Sequence, residues 1–369
     1  MKTAAALAPI AGASIGFYLP LAVVPLLAGS AQAAGLSTGA FLVATVLFEL
    51  VTPRIVARLG YRRTLAAGLV LLGLPSLLFL VSDATAALVA ANAVRGMGFA
   101  IATVAGSALT ALIVPSRRRG EGVALVGLVS GAGSLAALPL GLWAAHRYGY
   151  TPVFVVTALA PLAALPFLAD ATVTDKSDNF ARPGWRLPVI FAACASAAGV
   201  LVTFAPLAMA PALAPVVLLV QPAVTTVARW IAGRVGDRIG QSTLLLPGMV
   251  LSVAGMAALA ATGSTALVLL GAAAFGAGFG ILQNVTLTMM YARVPRSSYS
   301  AVSAIWNAAY DLGMAAGALG AGALIPSVGY PVAFLLTAVA MLPTLPLART
   351  GRTNARNSSV TMRALPDMG

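Results

Sequence analysis

The feature that most limits this chain is a series of long apolar runs parted only by short polar clusters. They cover about 5–28, 36–57, 63–82, 85–114, 121–145 and 151–170, and then about 187–208, 213–234, 243–262, 265–291, 299–325 and 330–348. A run of about 20 apolar residues is long enough to cross a bilayer as a helix. Lipid offers no partner for open backbone groups, so spanning segments must be helices or closed barrels. Barrel strands would be short and alternating, whereas these runs are long and continuous. The balance of residues agrees: 60% are hydrophobic and only 8% charged, where a soluble domain carries about a quarter charged. The sequence therefore predicts an all-α integral membrane protein with twelve transmembrane helices.

Several chemistries are excluded early. The formal charge of +13 would suit a phosphate backbone, but the basic residues lie in short clusters between apolar runs, with no basic face and no interleaved aromatics. No nucleic acid is expected. Cys194 is the single cysteine and His146 the single histidine, which argues against a disulfide, a thiolate or histidine metal site, and a Ser-His-Asp triad. No enzyme activity, cofactor or metal is expected, and a monomer is.

The basic clusters also orient the chain. With the N-terminus in the cytoplasm, Arg54, Arg58, Arg62, Arg63, Arg117, Arg118, Arg119, Lys176, Arg182, Arg186, Arg229, Arg234, Arg238, Arg293 and Arg296 all fall inside, as do the tail arginines, and only Arg147 falls outside. By the positive-inside rule both termini are cytoplasmic, in the inner (plasma) membrane. The start, "MKTAAALAPIAGASIGF", has the basic opening and apolar run of a signal peptide, with "AQA" at Ala31–Ala33 as a cleavage site. An uncleaved first helix is the preferred reading, because its loss would destroy an internal symmetry.

That symmetry is a repeat at a fixed offset. "RIVARLG" at Arg54–Gly60 and "RVGDRIG" at Arg234–Gly240 share one grammar, 180 residues apart. At the same offset "RGMGFAI" at Arg95–Ile101 faces "FGAGFGI" at Phe275–Ile281. "GYTPVFVVTALAPLAALP" at Gly149–Pro166 faces "GYPVAFLLTAVAMLPTLP" at Gly329–Pro346, with nine of eighteen positions identical. The chain thus reads as a six-helix bundle at 1–170, a cytoplasmic linker at 171–186, a second six-helix bundle at 187–348 and a cytoplasmic tail at 349–369.

Two parallel six-helix halves are the arrangement of major facilitator transporters, and the motifs resemble that superfamily. "GRVGDRIG" at Gly233–Gly240 is similar to its loop signature Gly-x-x-x-Asp-Arg-x-Gly, including Asp237. The first-half copy departs from it, with Pro53 at the first Gly position and Ala57 at the acid. "RGMGFA" at Arg95–Ala100 resembles the fourth-helix pattern of the proton-driven drug efflux branch. "GAGSLAALPLG" at Gly131–Gly141 resembles a degraded antiporter motif. The resemblance implies two pseudo-symmetric bundles that rock about a central site, with helices 1, 4, 7 and 10 lining the cavity and helices 2 and 11 meeting across the halves. It also implies a conformational latch at the repeated turns, carried by Arg54, Arg58, Gly60, Gly233, Asp237, Arg238 and Gly240; the alternative is that these residues only fix topology.

Three ionisable residues lie well inside the expected spans: Glu49, Arg95 and Asp311. A charge at the bilayer centre costs about 2.5–3.5 kcal/mol even on the mild insertion scale, so function is the first hypothesis for each. Burial disfavours the charged form of a carboxyl group, which suits Asp311, and secondly Glu49, to carry a proton. The alternatives are a permanently paired acid at Asp311, a helix-end ion pair with Arg54 or Arg229 at Glu49, and a backbone anchor at Arg95. Substrate contacts are expected from Arg95, Tyr18, Gln283, Asn284, Asn307 and Gln221; each of these polar groups could instead satisfy a neighbouring helix. Pro20, Pro25 and Pro206 are expected to kink cavity helices and free carbonyls there.

Few polar groups face the expected cavity, which fits an apolar or amphipathic cargo better than a sugar. The sequence thus reads as a secondary active transporter working by alternating access, with proton-coupled efflux of a hydrophobic or amphipathic small molecule as the first reading. Its expected partners are that small molecule, protons and membrane lipid. Proton-coupled import of a small organic anion or nutrient is the alternative, and a non-transporting membrane receptor stands behind both.

Overall fold

A computed structural model describes residues 2–113, 119–168, 184–294 and 299–349. Arg117, Arg118, Lys176, Arg182, Arg296, most of the linker and the tail beyond Arg349 lie outside the described residues. Nine helices among those described are long and apolar enough to cross a membrane. Two of the nine are each folded back at a single glycine, and Arg119–Tyr148 supplies a further span. The architecture is therefore the expected twelve spans.

We number them in chain order. Helix α1 is Lys2–Leu21 and resumes, after a break, as Val24–Ala28. Ala31–Gly73 bends at Gly60 into α2 (31–59) and α3 (61–73, continued by Leu74–Leu80). Then follow α4 (Thr85–Ile113), α5 (Arg119–Tyr148) and α6 (Tyr150–Ala163). The second half contains α7 (Arg186–Ala208), α8 (Leu213–Ile239), α9 (Leu245–Leu259) and α10 (Thr265–Tyr291). Tyr299–Met341 bends at Gly329 into α11 (299–328) and α12 (330–341, continued to Arg349).

Glycine makes the corners because the chain reverses there through positive φ, a region that a Cβ disfavours. Gly60 has φ 75° and its counterpart Gly240 has φ 90°; Gly149 has φ 82° and Gly329 has φ 77°. These two pairs each lie at the offset of the sequence repeat. The interior repeats too. Thr45 donates to the carbonyls of Phe41 (2.9 Å) and Gly96 (3.3 Å), while Thr225 donates to those of Gln221 (2.8 Å) and Gly276 (3.0 Å). Gly96 and Gly276 each stand against that same carbonyl with no room for a Cβ. Small residues let helices approach closely where apolar burial gives no drive between them in lipid. The halves are thus related in packing as well as in sequence.

The halves meet chiefly through α2 against α11 and α5 against α8. The two helices α2 and α11 run antiparallel. At the face remote from the termini they all but touch: a Cβ on Gly35 would lie 3.0 Å from the Gly322 Cα. Toward the termini face the seam loosens, and Pro53 and Ala304 on its facing stripes are exposed. One apolar core runs through both halves, from Phe17 and Leu42 to Phe191 and Met314.

Candidate functional site

Arg95 is 2% exposed, deep between α1, α2 and α4. One terminal nitrogen donates to Asn92, whose amide in turn donates to Ser37. The other donates to the Gly16 carbonyl at 2.7 Å. Gly16 precedes Pro20 by four residues. Proline has no N–H and its ring pushes aside the carbonyl four residues back, so Gly16 lacks its helical donor and Arg95 supplies one. The guanidinium also lies 5.4 Å from the ring centroids of both Phe41 and Phe79. Its Nε is buried without a hydrogen bond among the described residues. It borders a small cavity lined also by Phe17, Pro20, Leu21, Val24 and Thr38. The same chemistry that frees the Gly16 carbonyl ends the regular helix, which breaks at Ala22–Val23.

The two interior acids lie on the seam. Asp311 is 7% exposed and Glu49 is half-buried. Glu49 lies on the stripe of α2 that carries Gly35 and Gly39, and Asp311 on the stripe of α11 that carries Ala318 and Gly322, at helical spacing. The charge on Glu49 is felt at Asp311, and Asp311 acts in turn on Tyr18 of α1 and on Tyr310. Neither acid has a Lys or Arg nitrogen within 4 Å among the described residues. The expected alternatives of an ion pair at Glu49, with Arg54 or Arg229, and of a permanently paired Asp311 are therefore not seen. Asp311 thus lies within electrostatic reach of Glu49, Tyr18 and Tyr310.

The remaining polar candidates divide. Gln221 donates to Thr225 on its own helix at 3.0 Å, beside the close contact with Gly276. Asn284 reaches toward Gly233, where its amide nitrogen stands 3.3 Å from a Cβ position, and its Oδ1 is buried without a partner. Both amides sit between α8 and α10. Tyr18 and Gln283 are half-buried and make no hydrogen bond among the described residues. Asn307 is exposed, although it lies about 140° round α11 from the lipid-facing Leu312.

At the repeated turns Arg54, Arg58 and Arg238 are exposed, and Asp237 accepts from Gln241 Nε2 at 3.3 Å. No arginine lies within ion-pair distance of Asp237 among the described residues. The first-half turn has Ala57 at that place, and it passes straight from Gly60 into α3.

The sequence reading missed an aromatic panel. Trp306 and Tyr310 lie one turn apart on α11, their planes 7° from parallel with centroids 6.4 Å apart. Phe191 of α7 stacks on Trp306 at 4.3 Å and 13°. Phe279 of α10 extends the stack. The spacing of four residues on the helix that carries Asp311 was a visible signal.

Twelve apolar spans in two repeated halves, with two acids where the halves meet, define a multi-pass membrane protein. The comparisons agree on the family. A model of the Major Facilitator Superfamily matches residues 3–214 and again 186–363; the chain belongs to that superfamily. Among solved structures the nucleoside transporter NupG is similar at 11% identity and TM-score 0.74, covering 95% of this chain and 99% of that one. A mutant of NupG gives TM-score 0.75, also at 11% identity, over 94% and 99%. The human organic anion transporter MFSD10 (TETRAN) is similar at 14% identity and TM-score 0.65, over 94% and 98%. At these identities the likeness is one of fold. No curated protein matches the sequence.

Proposed function

We propose that this transporter exports a hydrophobic or amphipathic small molecule in exchange for protons, by alternating access across an inner membrane with both termini cytoplasmic. The observation that carries the reading is the pair Glu49 and Asp311, two acids without a cationic partner among the described residues, on the seam between α2 and α11. An acid there is held among apolar groups while the seam is closed and meets water when it parts, so its affinity for a proton changes with the facing state. Asp311 is the coupling acid and Glu49 assists it. The repeated turns act as the latch, with Asp237 its single acid. Cargo contacts come from Tyr18 and Gln283, both half-buried, and from the exposed Asn307. Arg95, Gln221 and Asn284 support them by holding the helices in place.

Import of a small organic anion is a second reading. One observation favours it: Arg95 borders a small cavity and has an unpartnered Nε. Inside-out vesicles given an acid interior by a pH jump separate the two. Export by proton exchange predicts that a hydrophobic amine accumulates inside those vesicles well beyond the passive trapping that protein-free vesicles show, and that nigericin abolishes the gradient and that excess. Accumulation of a small organic anion by right-side-out vesicles with an acid exterior, and none of the amine, would replace the first reading with the second.

A further inference from the structure

We infer that the corner between α5 and α6 holds the headgroup of an anionic phospholipid, in the leaflet at the face remote from the termini. Arg147 selects that lipid, and Trp143 and Tyr148 frame it. The site lies on the outer surface of the bundle, apart from the seam, and the inference needs no particular cargo or coupling.

Helix α5 carries one exposed stripe, Ala136, Leu140, Trp143 and Arg147, at the spacing of a single helix face. The stripe is apolar until its last turn, where it reaches the corner at Gly149. Such a face looks to lipid, and a tryptophan at its end sits where hydrocarbon meets water. Trp143 is 50% and Tyr148 62% exposed, so both rings are uncovered. They meet edge to face at 5.7 Å and 83°, and the Arg147 guanidinium stands 5.6 Å from the Tyr148 centroid. Trp143, His146, Arg147 and Tyr148 make no hydrogen bond among the described residues, and no acid there lies within 4 Å of Arg147 or His146.

The repeat shows that the fold does not need these side chains. At the offset of 180 residues, the corner between α11 and α12 keeps Gly329 for Gly149 and Tyr330 for Tyr150. The two glycines have φ 77° and 82°, so the backbone turns alike. Yet Trp143, His146, Arg147 and Tyr148 face Ala323, Pro326, Ser327 and Val328. Ser327 turns its hydroxyl back to the Leu324 carbonyl at 2.8 Å. The same corner is thus built without a cation or an indole, and the first-half cluster answers to something outside the chain's own packing.

Charge sets the partner. Among the described residues, His146 and Arg147 are the only basic side chains at the remote face; the other arginines lie toward the termini face or, at Arg95, inside. A guanidinium pairs with phosphate through two parallel hydrogen bonds. A choline or ethanolamine headgroup neutralises its own phosphate, whereas a glycerol headgroup leaves that charge to Arg147. The acyl chain then lies along Trp143, Leu140 and Ala136. A second copy of this chain in a twofold contact would set the same cations against each other, so the charges favour lipid.

Trp143 reports on this corner once Trp185, Trp230 and Trp306 are Phe. That full-length protein is placed in phosphatidylcholine nanodiscs with a small share of lipid brominated near the head of its acyl chains, either phosphatidylglycerol or phosphatidylcholine. Brominated phosphatidylglycerol should quench Trp143 as strongly as about fivefold more brominated phosphatidylcholine, the roughly 1 kcal/mol that one arginine gains at an anionic surface. Arg147→Ser, which writes in the second-half residue, should bring the two lipids level. Unbrominated phosphatidylglycerol should relieve the quenching and glycerol phosphate in the buffer should not. In native mass spectrometry of protein with all four tryptophans, Arg147→Ser should retain one phosphatidylglycerol fewer than the parent. Equal quenching by the two lipids in the parent would leave an ordinary interfacial tryptophan and overturn the proposal. So would a preference that survives in Arg147→Ser, relief by glycerol phosphate, or no quenching by either lipid, which would mean that protein covers the face. Arg147 is exposed, so Arg147→Ser should melt with the parent; the comparison of the two lipids in the parent stands without it.

Discussion

Removing Arg95 should destabilise the protein through a carbonyl three helices away in sequence, and the size of the effect can be worked out. The guanidinium donates to Gly16, whose own donor is missing because Pro20 stands four residues on. Arg95→Leu leaves that carbonyl buried and unpaired, which costs about 1–3 kcal/mol. Loss of the contacts with Phe41 and Phe79 adds about 0.5–2 kcal/mol. Together about 1.5–5 kcal/mol of stability should be lost. Pro20→Ala restores an N–H at position 20, so in that background Arg95→Leu should cost about 1–2 kcal/mol less. A double-mutant cycle isolates this coupling. Unfolding in mixed micelles with rising dodecyl sulfate, followed by circular dichroism, gives the four stabilities. Additivity within about 0.3 kcal/mol would refute the reasoning: the Arg95–Gly16 contact would then contribute nothing that Pro20 makes necessary.

Other predictions follow from the seam and the turns. Gly35→Leu should force the remote ends of α2 and α11 apart, because a Cβ there has no room against the Ala318 carbonyl, and should stop transport in protein whose melting curve shows that it still folds. Unchanged transport in that variant would exclude the tight seam from the cycle. Asp237→Ala should slow cargo flux several-fold, whereas Ala57→Asp should change it less; equal rates in Asp237→Asn and the parent would leave the turn as a topology signal. A single cysteine at Asp83 should react with an impermeant maleimide on intact cells, and one at Arg238 only after permeabilisation. The reverse pattern would invert the orientation.

The twelve spans were legible because lipid forces each crossing segment to be apolar and helical, which leaves little for tertiary context to override. Gly60, Gly149, Gly240 and Gly329 were visible as residues, and positive φ explains why they stand at the corners. Helix α1 was read as one run over 5–28 kinked by Pro20 and Pro25, and the chain does break between them, at Ala22–Val23. Arg95 was harder, since its partner is a backbone carbonyl and carbonyls carry no side-chain label. A proline four residues after Gly16 marks that carbonyl as free, so the contact was written in the sequence in two separate places. Gln221 and Asn284 illustrate the opposite limit. An amide in an apolar helix looks the same whether it faces a cavity or a neighbouring helix, and only packing against Gly276 and Gly233 decides. Trp306 and Tyr310 passed as ordinary aromatics because their alignment depends on Phe191, more than a hundred residues earlier.

The central claim is that Asp311 carries the coupled proton, and proton movement by Asp311→Asn protein in sealed liposomes tests it most directly. Asparagine keeps the shape of the protonated acid and removes its exchange. With pyranine trapped inside and the permanently charged ethidium added outside as probe, the parent's lumen should lose protons in step with cargo entry, beyond any change in protein-free liposomes. Asp311→Asn should bind the probe and exchange it at equal pH, yet move no protons and build no gradient of cargo; Glu49→Gln should slow coupling without abolishing it. Cargo accumulation by Asp311→Asn against its gradient, with the parental proton signal, would contradict the account and leave Asp311 a structural acid.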